Sequence, residues 1–208
     1  MIFSTPRTEA ETAVREIWII GDSLTEGFGV AKVDAFPALL QKKIETRPLK
    51  KNRRDSTTSA SKSKWKVVNA GNSGWTSASG IRQLRWLLKK SRPDILILAL
   101  GANDGLRGLD IGAMKRNLEE TLREAQKQGA VLVLAGMQTP PNYGKSYTKK
   151  FAQAFRDLSQ STGARLIGFL LEGVAGEKDL NLADGIHPNE KGHAIVAETV
   201  YKTIEDLL

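Results

Sequence analysis

IWIIGDS, Ile17 to Ser23, is the stretch whose reading decides the fold. Four apolar residues follow one another without a break and run straight into Gly21, Asp22 and Ser23. The run is too short for a helix and lacks polar alternation, so it reads as a strand covered on both faces that ends in a tight polar turn. The same pattern recurs along the chain. Val67-Val68 leads into NAGNSG (Asn69 to Gly74), and Ile95 to Leu100 (ILILAL) leads into Gly101 to Asp104 (GAND). Val131 to Ala135 (VLVLA) and Leu166 to Phe169 (LIGF) are two further runs of this kind, which makes five predicted strands. Helical stretches separate them, at about Phe36 to Thr46, Ser79 to Ser91, Ile111 to Gln128 and Lys149 to Thr162, with a last one from about Glu190 to Leu207. In the Ile111 to Gln128 stretch, Leu118, Leu122 and Ala125 form an apolar stripe at helical spacing. Strands and helices in alternation predict an α/β fold around a parallel sheet.

On such a scaffold the polar motifs converge. GDS, NAGNSG and GAND each follow a strand, so each sits at the carboxyl end of a parallel sheet. Open α/β sheets bind ligands there, at the switch point of strand order. Asp184-Gly185-Ile186-His187 follows the fifth strand by a loop and opens the last helix.

Composition bounds the chemistry. The 208 residues suit one domain, 1–208, with a sizeable core. The absence of cysteine excludes disulfides, thiolate metal sites and a thiol nucleophile. No apolar run approaches the roughly 20 residues of a membrane span. The first residues lack the apolar stretch of a secretory signal. As written the chain reads as cytoplasmic, and a cysteine-free protein folds equally well in the periplasm or outside the cell, so the sequence leaves the compartment open. The net charge of +8 is concentrated between Arg47 and Lys66, where eight Lys or Arg face one Asp and leave the rest nearly neutral. Rich in Ser and Thr, with Trp65 its single aromatic, this segment reads as a flexible surface insertion, with weak contact to anionic lipid as the functional alternative. No nucleic-acid partner is expected, and the chain is expected as a monomer or small homo-oligomer. There is no G-x-S-x-G elbow, H-E-x-x-H, P-loop or G-x-G-x-x-G, and no cluster of metal ligands in sequence, so neither a metal nor another cofactor is expected.

The chemistry that remains is that of an activated hydroxyl. A serine becomes nucleophilic when an imidazole takes its proton, and the imidazole works best when a carboxylate fixes its tautomer. The chain has two histidines. His187 lies three residues after Asp184 in a turn, whereas His193 falls at a helix start and reads as structural. Each motif taken alone has an ordinary explanation. Asp22 or Ser23 can cap a helix, Asn103-Asp104-Gly105 can form a left-handed turn, Gly71 and Gly74 can be turn glycines, and Asp184 to Pro188 can open a capped helix. Their joint occurrence, each after its own strand, favours catalysis.

In order along nearly the whole chain, GDSLTEGFGV, NAGNSGWTS, LGANDGLRG and DGIHPNEKGH resemble the four blocks of the SGNH or GDSL superfamily of serine esterases and lipases. GANDGLRG and PPNYGKSYTKKF are similar to longer segments of its bacterial acyl-CoA thioesterase I/protease I/lysophospholipase group, which also acts on aryl esters. The resemblance implies a flavodoxin-like three-layer α/β/α sandwich with a central five-stranded parallel sheet. It implies Ser23 as nucleophile, His187 as general base and acid, and Asp184 as the orienting acid. It assigns the oxyanion hole to the N–H groups of Ser23 and Gly74 and the Asn103 side chain. Substrates would be small acyl esters or thioesters, hydrolysed through a covalent acyl-enzyme. Trp75, Asp22 and Tyr143, the last in the loop Met137 to Tyr147, are candidates for substrate contact.

Two features depart from the family pattern: the basic segment before Trp65, and Glu26, where a small residue is usual. The Glu26 carboxylate can line the pocket, repel anionic substrates or point to solvent, and solvent is the favoured reading. Two other functions compete. One is a carbohydrate O-deacetylase of the same superfamily, which the thioesterase-like loop segments disfavour. The other is a non-catalytic anion-binding module working through residues 47–66.

Overall fold

The computed structural model describes residues 14–47 and 64–208. Most of the basic segment, residues 48–63, lies outside them, and with it the expectations of a flexible insertion and a lipid contact. Among the described residues five strands form one all-parallel sheet in the order β2-β1-β3-β4-β5. They are β1 (Arg15–Gly21), β2 (Trp65–Gly71), β3 (Ile95–Ala99), β4 (Val131–Ala135) and β5 (Arg165–Ile167). Every side chain of β3 is buried, as are Ile17 to Ile20 of β1. The apolar runs of these strands are unbroken because both their faces meet helices. β2 lies at an edge and is half exposed, so Val67-Val68 and the adjoining Trp65 were the signals for a strand of seven residues.

The helices are α1 (Ser23–Glu26), α2 (Phe36–Thr46), α3 (Gly80–Leu87), α4 (Ala102–Leu106), α5 (Ile111–Lys127), α6 (Lys145–Thr162) and α7 (Glu190–Ile204). Helices α2 and α7 pack together on one face of the sheet, and α3, α5 and α6 form the layer on the other. The chain is thus a three-layer α/β/α sandwich of flavodoxin-like strand order. α6 begins four residues before the predicted Lys149, because its first turn is polar and its apolar stripe starts only with Tyr147 and Phe151. The predicted 79–91 helix is a single 3-10 turn, Ser77–Ser79, followed by the two-turn α3. The short helices α1 and α4 were not predicted: they are one turn each and consist of the very motifs that signalled the turns after β1 and β3.

Strand order reverses at β1, whose neighbours are β2 and β3. The turns after these three strands therefore diverge around one crevice, and α1 closes its floor. Gly71 shows how tightly: a Cβ there would stand 2.3 Å from the Glu26 backbone nitrogen, so only glycine lets β2 end against α1. His193 belongs to the core, 1% exposed, where its Nδ1 accepts the first free N–H of α2, from Phe36, at 3.2 Å. Burial pushes its pKa down to about 4, which keeps the ring neutral and able to accept that bond. No helix among the described residues is long and apolar enough to cross a membrane.

Candidate active site

Ser23 is the first residue of α1 and follows β1 directly. Asp22 caps the helix by accepting the Leu24 N–H at 3.0 Å, so the helix-cap reading of this turn holds, and the same turn borders the cavity described below. At the first helical position the Ser23 N–H has no acceptor within the helix. His187 comes from the loop after β5 and reaches Ser23 across 164 residues of sequence, with Nε2 3.0 Å from Oγ. Its Nδ1 lies 2.7 Å from Asp184 Oδ2. An ionised carboxylate only accepts, so Nδ1 carries the proton and Nε2 is left to accept from the serine hydroxyl.

Asp184 is held locally. Its Oδ1 accepts the backbone N–H groups of Ile186 (3.0 Å) and His187 (3.1 Å), so a three-residue spacing suffices to lock carboxylate and imidazole in one turn. The Ile186 N–H, then the bond from the His187 ring, hold the carboxyl down at about 2, and it stays ionised at any working pH. Helix α7 is capped by Asn189, whose side chain accepts from Lys191 and Gly192. The capped-helix explanation of Asp184 therefore does not apply. The Phe28 ring stands 4.6 Å, centroid to centroid, from the His187 imidazole and shields one side of it.

The second carboxylate behaves in the opposite way. Asp22 is 1% exposed, its Oδ2 has no hydrogen-bond partner among the described residues, and burial pushes its pKa up to about 6. Two carboxyl groups of one site are thus driven apart by environment, one solvated and bonded, the other sealed.

Gly74 sits in the turn after β2 with φ +79°. A Cβ there would meet only Arg107 among protein atoms, at 3.7 Å, so the backbone conformation rather than lack of space requires glycine. Asn103 is on α4, not in a left-handed turn, and its Nδ2 donates to the Trp75 carbonyl at 2.9 Å, leaving its second N–H available. Glu26 is exposed, as expected, but not free: its carboxylate accepts the backbone N–H of Ser73 at 2.7 Å and the Ser73 hydroxyl. Those two donors hold its pKa below the ordinary value.

Ser23, His187, Asn103 and Asp22 line one cavity of about 550 Å³. Its apolar walls include Leu106, Met137, Phe169 and Ile186, with Pro140 and Pro141 from the loop after β4. Of the residues expected to touch substrate, Asp22 is in this lining, while Trp75 and Tyr143 are not. Trp75 packs half-buried against the core. The Tyr143 hydroxyl donates to the Leu106 carbonyl at 2.6 Å and so braces a wall residue. Three participants escaped the reading of the sequence. Arg107 donates to the Gly74 carbonyl (2.9 Å), and buried Asp104 accepts the N–H (2.8 Å) and hydroxyl (2.6 Å) of Ser77. The third is Phe28. Their adjacency to the motifs was visible, but their partners were not. Among the described residues, no three His, Cys, Asp or Glu gather as metal ligands.

The sequence profile of the GDSL-like lipase/acylhydrolase family matches residues 19–195, which include every motif of this crevice. The chain belongs to the GDSL-like lipase/acylhydrolase family. Within it, the chain is similar to Esterase TesA of Pseudomonas aeruginosa, 33% identical over 198 residues, covering 95% of this chain and 92% of that protein. It is 30% identical to the Thioesterase 1/protease 1/lysophospholipase L1 of Escherichia coli K12, over all of this chain and 91% of that protein. Among solved structures, that of the psychrotrophic esterase EstA from Pseudoalteromonas superposes with a TM-score of 0.81 at 33% identity, covering 93% of this chain and 98% of that one.

Proposed function

We propose that the chain is a serine hydrolase of small acyl esters and thioesters, working as one domain through Ser23, His187 and Asp184. The observation that carries this reading is the continuous chain from Asp184 through His187 to the Ser23 hydroxyl at the mouth of an apolar cavity. His187 Nε2 accepts the hydroxyl proton as Ser23 Oγ bonds to the acyl carbon, and Asp184 stabilises the resulting imidazolium. The carbonyl oxygen becomes an oxyanion that the Ser23 and Gly74 N–H groups and the free Asn103 N–H receive, each donor contributing roughly 3 kcal/mol. Collapse expels the alcohol or thiol, which takes the proton from His187. Water, deprotonated by the same imidazole, then attacks the acyl-enzyme, and collapse of that intermediate releases the acid and restores Ser23.

The names of the relatives, esterase and thioesterase/lysophospholipase, support acyl esters and thioesters as the substrate class. The apolar cavity walls favour acyl groups longer than acetyl over the acetylated sugars of a deacetylase. Hydrolysis of p-nitrophenyl esters from acetate to palmitate, by the wild type and by Ser23→Ala, tests the proposal. A rate that peaks above acetate and falls at least ~10⁴-fold in Ser23→Ala is expected. An equally active variant would refute the Ser23 mechanism.

A further inference from the structure

The turn that carries Gly74 is exposed from Asn72 to Gly74, and glycine gives it wide conformational freedom. An oxyanion donor must nevertheless stand in place before the reaction begins. The turn closes on itself weakly, through Trp75 N–H to the Asn72 carbonyl at 3.3 Å, and meets β1 through Asn72 N–H to the Gly21 carbonyl at 3.2 Å. Side chains supply the remaining restraint. Glu26 takes both donors of Ser73, fixing the peptide before the one that bears the Gly74 N–H. Arg107 takes the Gly74 carbonyl, fixing the peptide after it. The peptide between these two grips is the one whose N–H has no acceptor among the described residues.

Glu26 also closes the four-residue helix that Ser23 opens. Its side chain therefore ties the helix bearing one oxyanion donor to the loop bearing another, and sets their separation. Its carboxylate is engaged by Ser73, and both it and Gly74 stand outside the apolar lining of the cavity. We propose that Glu26 is a positioning residue that, with Arg107 opposite, aims the Gly74 N–H at the oxyanion. The proposal rests on the Ser23 reading above. As an exposed contact, the clamp adds little to folding stability, so its effect falls on the reaction.

Steady-state kinetics on p-nitrophenyl butyrate, with melting temperatures measured alongside, test this for the wild type, Ser23→Ala, Glu26→Ala, Glu26→Gln and Arg107→Ala. Glu26→Ala is expected to lower kcat about 10-fold, with KM within about twofold and Tm within about 3 °C. Glu26→Gln, whose amide oxygen still accepts from Ser73, stays within about threefold of wild type, and Arg107→Ala loses kcat as Glu26→Ala does. Should Glu26→Ala fail to fold, Ser73→Ala removes only the hydroxyl donor and shows a smaller loss in the same parameter. Wild-type kcat in Glu26→Ala, a loss carried by KM, or equal losses in the Ala and Gln variants would each overturn the clamp. An inactive Ser23→Ala beside an unaffected Glu26→Ala breaks the clamp alone, whereas a fully active Ser23→Ala removes the mechanism on which it rests.

Discussion

The two sides of the crevice are held in unlike ways. The Asp184 to His187 turn is held mostly from within its own loop: its carboxylate bonds residues two and three positions on, the His187 carbonyl accepts the Leu182 N–H at 2.8 Å, and outside the loop the imidazole meets the Ser23 hydroxyl and the Phe28 ring. The loop from Ser73 to Ser77 holds its shape through others: Glu26 from α1, and Arg107, Asn103 and buried Asp104 from α4 and its end. Asn117 of α5 adds a bond to the Ser77 hydroxyl at 3.0 Å. A proton-transfer pair needs one correct distance, which a short turn can supply. In the proposed mechanism the loop's donors must meet a charge arising in space and so need a rigid frame, and the side chains that hold the loop come from three separate helices.

The contrast can be broken experimentally. The largest effect is expected on the local side: Asp184→Ala should lower kcat roughly 10⁴-fold while leaving Tm nearly unchanged, because Asp184 is exposed and its bonds stay within the turn. A large fall in Tm would show that the turn supports the fold. Next comes Asn103→Ala, with kcat down about 10²–10³-fold and a measurable loss of stability, since the Trp75 carbonyl loses its donor. Asp104→Ala should act mainly on stability, by about 2–3 kcal/mol in denaturant melts, since two buried Ser77 donors lose a charged acceptor. If it proved as stable as wild type, the frame would not depend on this bond.

The smallest effect is expected at Asp22. Its folded pKa of about 6 stands above the 3.8 of an unperturbed carboxyl. Between those values the folded state binds a proton that the unfolded chain has released, so stability falls as pH rises through that window. Asp22→Asn keeps the helix-capping oxygen and removes the titration. Relative to this variant, wild type should lose about 2 kcal/mol between pH 4 and pH 7. A pH-independent difference would disprove the burial account of Asp22.

How much was legible follows from the range of each interaction. β4 and α2 occur at their predicted bounds because a continuous apolar run or a helical stripe is a property of neighbouring residues. β2 was under-read because an edge strand has one exposed side and needs fewer apolar residues. In the site, Asp184 and His187 were readable as a pair from their spacing, and the four blocks resembled a known family. Trp75 and Tyr143 were visible as large residues beside the motifs, but which side of the cavity wall they occupy depends on packing against Leu106 and the core. Glu26 was noticed only as an anomaly. Nothing in the linear order joins position 26 to position 73.

By itself, then, the sequence determined the α/β class, the strands, the motif at the end of each strand and the Asp184–His187 pairing. All of these are set by side chains within a few residues of one another. Tertiary structure alone decided that Ser23 meets His187, that Asp22 is sealed while Asp184 stays ionised, and that Glu26 and Arg107 grip the loop of Gly74 from either side. Those outcomes depend on burial and on contacts between residues far apart in the chain. They exist only once the order β2-β1-β3 has brought three turns and the loop after β5 around one crevice.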